Sequence, residues 1–114
     1  MLPQINRIKK KKDFERIFKN SKNLKAPFFI FRIIKNELGI NRFGFVVSQK
    51  ISKNAVIRNR VRRRLAEVIK IEMSKIKKGT DLVLVALPGI ERKEFSEIKE
   101  VVNNFLVKAK LFSE

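Results

Sequence analysis

The chain has 114 residues, with 28 Lys and Arg against 11 Asp and Glu, a formal charge of +17, no Cys and no His. That length fits one domain spanning residues 1–114, and 44% hydrophobic content with ten Phe suffices for its core. The missing residue types exclude thiolate and imidazole catalysis, disulfides and the usual zinc, haem and iron–sulfur ligand sets, while the charge exceeds what solubility requires and calls for a polyanionic partner.

The opening "MLPQINRIKKKKDF" has a basic segment without a following apolar core, and no apolar run approaches the ~20 residues of a membrane span, which predicts a cytoplasmic protein. Charge is distributed unevenly. Residues 1–66 hold 19 Lys and Arg against Asp13, Glu15 and Glu37, whereas residues 67–114 hold nine against eight acids. Such asymmetry predicts a localised surface for nucleic acid or an anionic membrane, and composition does not choose between them.

Phe14, Ile17 and Phe18 at i, i+3, i+4 spacing predict a short helix from about Lys12 to Asn20, with Asp13 near its start. The run Lys9 to Lys12 precedes it as a solvated arm or a phosphate contact. "APFFIFRII" reads as a strand beginning at Pro27, with Phe28, Ile30, Arg32 and Ile34 on one face and Phe29, Phe31, Ile33 and Lys35 on the other. "NELGIN" reads as a hairpin connection, and "RFGFVVSQK" as a second alternating strand in which Gly44 lets a neighbouring group approach closely.

After Ser52 or Asn54 as cap comes a helix expected to reach about Lys77 and to stop at Gly79. Its stripe Ile57, Val61, Leu65, Val68 and Ile69 faces the core at 100° per residue. Arg58, Arg60, Arg62, Arg63 and Arg64 surround that stripe, and the nearest downstream acid, Glu67, can reach only Arg63 or Arg64. A membrane-surface helix would need the apolar stripe that the core requires here. Arginine in place of lysine suggests bidentate phosphate contacts and stacking on bases. "DLVLVAL" reads as an interior strand, so a strand–helix–strand crossover is expected, and Phe95, Ile98, Val102, Phe105 and Ala109 predict a packed C-terminal helix.

"DFERIF", "RFGFVVSQK", "AVIRNRVRRRL" and "GTDLVLVALP", in this order, resemble the protein subunit of bacterial ribonuclease P, with Arg58, Asn59 and Arg60 matching its RNR signature. The resemblance implies a two-layer α+β domain ordered helix, three strands, helix, strand, helix, with a left-handed βαβ crossover. The extra short strand would fall near Ser21 to Lys25. It further implies that the RNA subunit hydrolyses precursor tRNA with Mg²⁺ while the protein holds the 5′ leader, itself binding no metal, membrane or DNA. Arg58, Asn59, Arg60, Arg62 and Arg63 match positions facing the catalytic RNA, to which Lys53 and Arg64 are added on charge alone.

Phe14, Phe18 and Phe31, with Ser48 and Lys50 on the adjoining strand, match leader-facing positions in a cleft between the first helix and the sheet. Gln49, Ala66 and Leu87 depart from residues common in the family, and Arg64 replaces a usually apolar one. Two other readings share the composition: a ribosomal or other structural RNA-binding protein, and a protein-only nuclease.

Overall fold

The computed structural model describes residues 2–109; the last residues of the predicted C-terminal helical stretch, from Lys110 on, lie outside them. A 3-10 turn at Gln4–Asn6 leads into helix α1, Lys11–Asn20. Strands β1, Lys22–Ala26, and β2, Phe29–Lys35, form a hairpin, and β3, Arg42–Val46, passes into helix α2, Ala55–Glu72. Strand β4, Thr80–Ala86, and helix α3, Phe95–Lys108, complete the α+β order. The strands lie β1-β2-β4-β3, with β3 and β4 parallel and the remaining neighbours antiparallel, so the segment after β2 does not close a hairpin: β4 pairs between β2 and β3. A parallel pair cannot be joined by a tight turn, and α2 supplies the crossover.

Local chemistry sets the boundaries. The β1–β2 hairpin turns through Pro27 and Phe28, so β2 begins at Phe29, two residues after the expected start. Phe28 sits at φ 69°, a region that usually requires glycine, and is held there by neighbours. Its carbonyl accepts from the Leu87 N–H at 2.8 Å, and Lys93 Nζ lies 4.7 Å from its ring centre. The Asn54 side chain caps α2 by accepting from the Val56 N–H at 2.9 Å. The helix ends at Glu72, short of Lys77, because a 3-10 turn at Met73–Lys75 swings Ile76 into the core.

Strand alternation divides the core in two. On one face Phe29, Phe31, Phe43, Leu82 and Leu84 pack against Val61, Leu65, Val68 and Ile69 of α2 and Ile98, Val102 and Leu106 of α3. Here the sheet packs against two of the three helices. On the opposite face α1 lies over a smaller cluster, where Ile17, fully buried, packs with Ile8 and Val83 against Phe14, Ile34, Val46 and Val85.

A buried carboxylate locks α1 in place. Asp81, at the start of β4 and without solvent exposure, accepts from Arg42 Nε at 3.0 Å and Nη2 at 2.7 Å, from Arg16 Nη2 at 2.9 Å and from Asn36 Nδ2 at 2.7 Å. Arg42 also reaches Asp13 Oδ2 at 3.3 Å, so Asp13 and Arg16 of α1 are both bound to the sheet. Burial alone would raise the Asp81 pKa. The hydrogen bonds from Arg42 and Asn36 and the charges of Arg42 and Arg16 outweigh it and hold the carboxyl below its ordinary value. Arg42 is correspondingly raised, chiefly by its hydrogen bonds to Asp81.

Two substitutions test this account. Asp81→Asn leaves two guanidiniums facing a neutral group and should cost stability toward the lower end of about 3–5 kcal/mol, since Arg16 still reaches water. Because the folded-state pKa is depressed, the Asp81 contribution is complete above the carboxylate range and lost as pH falls through it and below. Thermal melts should therefore show wild type losing more stability than the variant as pH is lowered beneath about 4. Phe31→Ala should cost about 3–5 kcal/mol in denaturant titrations, as for any core phenylalanine.

Candidate nucleic-acid interface

The arginine helix presents its charge outward because its apolar stripe is committed to the main core. Asn59, Arg62 and Arg63 are exposed and, at i, i+3 and i+4, share one side of the helix with Ala66. Arg62 Nη1 donates to Asn59 Oδ1 at 2.9 Å, which orders the pair side by side. Arg60 is exposed as well, as is Lys53 in the loop leading to α2. Arg58 folds back, its Nη1 donating to the Ser52 carbonyl at 2.9 Å and tying the helix start to that loop. Arg64 is half-buried and donates to the Lys93 carbonyl at 3.0 Å, so part of its work is to brace α2 against the segment before α3.

A concavity of about 560 Å³ opens between the N-terminal segment, α1, β3 and α2. Its apolar lining includes Phe14, Phe43, Gly44 and Phe45, and its polar lining is Arg7, Lys9, Asn59, Arg62 and Arg63. Three local features build it. Strand β3 is the sheet edge, and the Ile8 N–H donates to the Phe43 carbonyl at 2.8 Å, laying the N-terminal segment along the first part of that edge. The Asp81 network fixes α1 above the same strand. Gly44 lets the Phe14 ring rest on the backbone: a Cβ there would come within 2.7 Å of the ring. The close approach expected from the sequence at Gly44 is therefore made by Phe14.

Phe14 and Phe18 both lie on α1, but they serve different places. Phe14 lines the concavity, whereas Phe18, 37% exposed, sits against Arg32, whose guanidinium carbon is 4.7 Å from the ring centre and whose Nη1 donates to the Phe18 carbonyl at 3.2 Å. Phe31 does not belong to this face. It points from β2 into the main core, without solvent exposure, and stacks on Phe105 at 3.6 Å between ring centres. In a strand only alternate side chains share a face, and the cleft side of β2 shows Ile30, Arg32 and Ile34. Ser48 and Lys50 are exposed but lie beyond β3, in a turn where the Lys50 N–H donates to Ser48 Oγ at 3.3 Å, and neither lines the concavity.

Arg32, Phe43 and Phe45 were absent from the sequence-derived site. The strand alternation that places Arg32 with Ile30 and Ile34 carried a signal, since a cation among apolar neighbours on a half-covered face marks a place where charge is needed. Phe43 and Phe45 gave none, because a phenylalanine at a strand edge is indistinguishable in sequence from a core one. Among the described residues no group of three or more acidic, His or Cys side chains is placed to hold a metal ion.

Comparison with known proteins agrees with this geometry. The family model described as Ribonuclease P matches residues 2–110. The ribonuclease P protein component of Caldanaerobacter subterraneus subsp. tengcongensis is 35% identical over 114 residues, covering 100% of this chain and 97% of its own. The solved RNase P protein of Staphylococcus aureus superposes with a TM-score of 0.85 at 31% identity, over 95% of this chain and 98% of that one. That of Thermotoga maritima gives 0.81 at 29% identity, over 90% and 96%. The RNR helix beside an edge strand, the sheet order and matches along nearly the full length of relatives thus converge: the chain belongs to the ribonuclease P protein family, the protein component of the ribonucleoprotein that matures the 5′ ends of tRNAs.

Proposed function

We propose that this protein, acting as one RNA-binding unit, binds the catalytic RNA through the exposed side of α2 and the single-stranded 5′ leader of precursor tRNA along the α1 side of β3. The observation that carries this reading is the concavity in which the Phe14 ring and the Asn59, Arg62 and Arg63 side chains line one space. Phosphates suit the guanidinium forks, and an unpaired base suits an aromatic face, where stacking is worth about 1–3 kcal/mol in single-strand binders. Arg58, Arg60, Lys53 and Arg64 extend the cationic side, while Phe18 over Arg32 continues the leader path along α1. Ser48 and Lys50 flank it beyond the end of β3.

Hydrolysis is assigned to the RNA with Mg²⁺, in the cytoplasm. The buried Asp81 carboxylate takes no part in it, since it is saturated by Arg42, Arg16 and Asn36 and has no oxygen to offer a cation. Reconstitution with a bacterial ribonuclease P RNA tests the reading. At modest Mg²⁺ the protein should stimulate cleavage of precursor tRNA and show no cleavage alone; no stimulation refutes the proposal, and cleavage without RNA supports a protein-only nuclease. Ribosomal co-sedimentation without stimulation would assign the chain to ribosomal RNA instead.

Replacing Arg60, Arg62 and Arg63 together by Ala should weaken catalytic-RNA binding and reduce its log–log salt slope by about 0.7–0.9 per lost phosphate contact. All three are exposed, so folding should persist, and an unchanged slope would remove α2 from the interface. Gly44→Ala forces the Phe14 ring off the strand. Overpacking of this kind costs about 1–3 kcal/mol, and the ring can swing aside, so the lower figure is expected. Leader-dependent affinity, measured as the difference between precursor and mature tRNA, should fall, with catalytic-RNA affinity retained.

A further inference from the structure

The arginine helix does not account for all of the charge. At the opposite end of the sheet a second, larger concavity of about 980 Å³ is lined by Lys22, Lys35, Lys77 and Lys78. The four lysines come from three separate segments: the first residue of β1, the last of β2, and the loop entering β4. All four are exposed, and among the described residues no carboxylate lines the space and none of the four ammoniums lies within 4.0 Å of an acid.

The loop is held rather than loose. The Asn36 N–H donates to the Gly79 carbonyl at 2.7 Å, and Thr80 donates from Oγ1 to the Lys77 carbonyl at 3.2 Å and from its backbone N–H to buried Asn41 Oδ1 at 3.1 Å. Gly79 takes φ 85° to make this turn. Lys77 and Lys78 are thereby fixed next to Lys35, which pairs with Thr80 in the ladder. Lysines on an exposed edge strand guard against aggregation, and that suffices for Lys22. It does not explain why three further cations from two other segments converge on the same space against their mutual repulsion.

We infer that these lysines form a second phosphate-binding surface, one that takes the backbone of double-helical RNA. The inference rests on the reading of this chain as an RNA-binding subunit. Two differences from the first concavity set the partner's chemistry. Among the described residues no aromatic ring lines this second one, hence no platform for unpaired bases, and the cations are lysines, point charges that meet phosphate without the planar fork. Helix α2, about 27 Å long at 1.5 Å per residue, separates this surface from the arginines at its start. The protein therefore spans two RNA segments. The duplex is either a stem of the catalytic RNA or the paired body of the precursor tRNA.

The test uses a Lys22, Lys35, Lys77 and Lys78 to Gln variant, with melting curves to confirm folding and a fourfold Lys→Arg variant that keeps the charge. Salt dependence is measured for binding to catalytic RNA alone and for precursor tRNA binding to the assembled holoenzyme. The log–log slope should drop by up to about 3 in one of these arms, which identifies the source, and the Arg variant should restore it. Unchanged slopes in both arms with a folded variant overturn the proposal, as does an equal loss of affinity for a single-stranded homopolymer and for a short RNA duplex. Loss of binding to anionic vesicles with RNA slopes unchanged would assign the surface to lipid. The Arg60, Arg62, Arg63 variant measured in parallel reports separately on the main interface, so either reading can fall without the other.

Discussion

The geometry of the interface depends on one buried carboxylate. Asp81 is the first buried charge of the innermost strand pair, and its two oxygens are shared among Arg42 on the edge strand, Arg16 on α1 and Asn36 at the end of β2. A carboxylate removed from water is costly unless its lone pairs are filled by well-aligned donors, and four donor contacts fill them here. The same arginine that satisfies Asp81 also reaches Asp13, so the arrangement bolts a short helix to a sheet beside the smaller of the two apolar clusters. Two of the chain's cations are thereby removed from the pool available to RNA.

Once α1 is fixed, the aromatic surface follows from backbone geometry. Ile17 anchors the helix, Gly44 gives the Phe14 ring its seat, and the N-terminal segment closes onto the start of β3. The other boundary comes from α2, whose side chains at Asn59, Arg62, Arg63 and Ala66 face the same space because residues three, four and seven apart share a helix side. A sheet edge, which would otherwise invite pairing with another chain, becomes instead a wall lined by aromatic rings and guanidiniums.

The division of the phenylalanines shows how alternation decides role. Phe29, Phe31 and Phe43 face the large core, where Phe29 and Phe31 meet at 5.5 Å and Phe31 stacks on Phe105. Phe14 and Phe18 face outward from α1, one against glycine and the other against Arg32. Resemblance placed Phe31 with the latter pair, and a shift of one residue in register is enough to exchange the two faces of a strand. Arg32, its neighbour, occupies the cleft side that Phe31 was expected to line.

The sequence by itself determined the order of every helix and strand except β1, the core stripe of α2, the interior character of β4 and the cationic character of the exposed α2 side. Each is written in local periodicity or in the spacing of acids and bases, which require no knowledge of what lies across the fold. It also marked Gly44 as a point of close approach. What only the tertiary structure decided is which residues meet: Asp81 with Arg16 across 65 positions, Phe14 with Gly44, Phe31 with Phe105, and the lysines of three segments in one concavity. Helix α2 stops at Glu72 and β2 starts at Phe29 for the same reason, since Ile76 and Phe28 obey contacts made from distant parts of the chain. Periodicity assigns a side chain to a face, but the partner on that face is set by strand pairing and helix packing, and those energies appear only when distant segments come together.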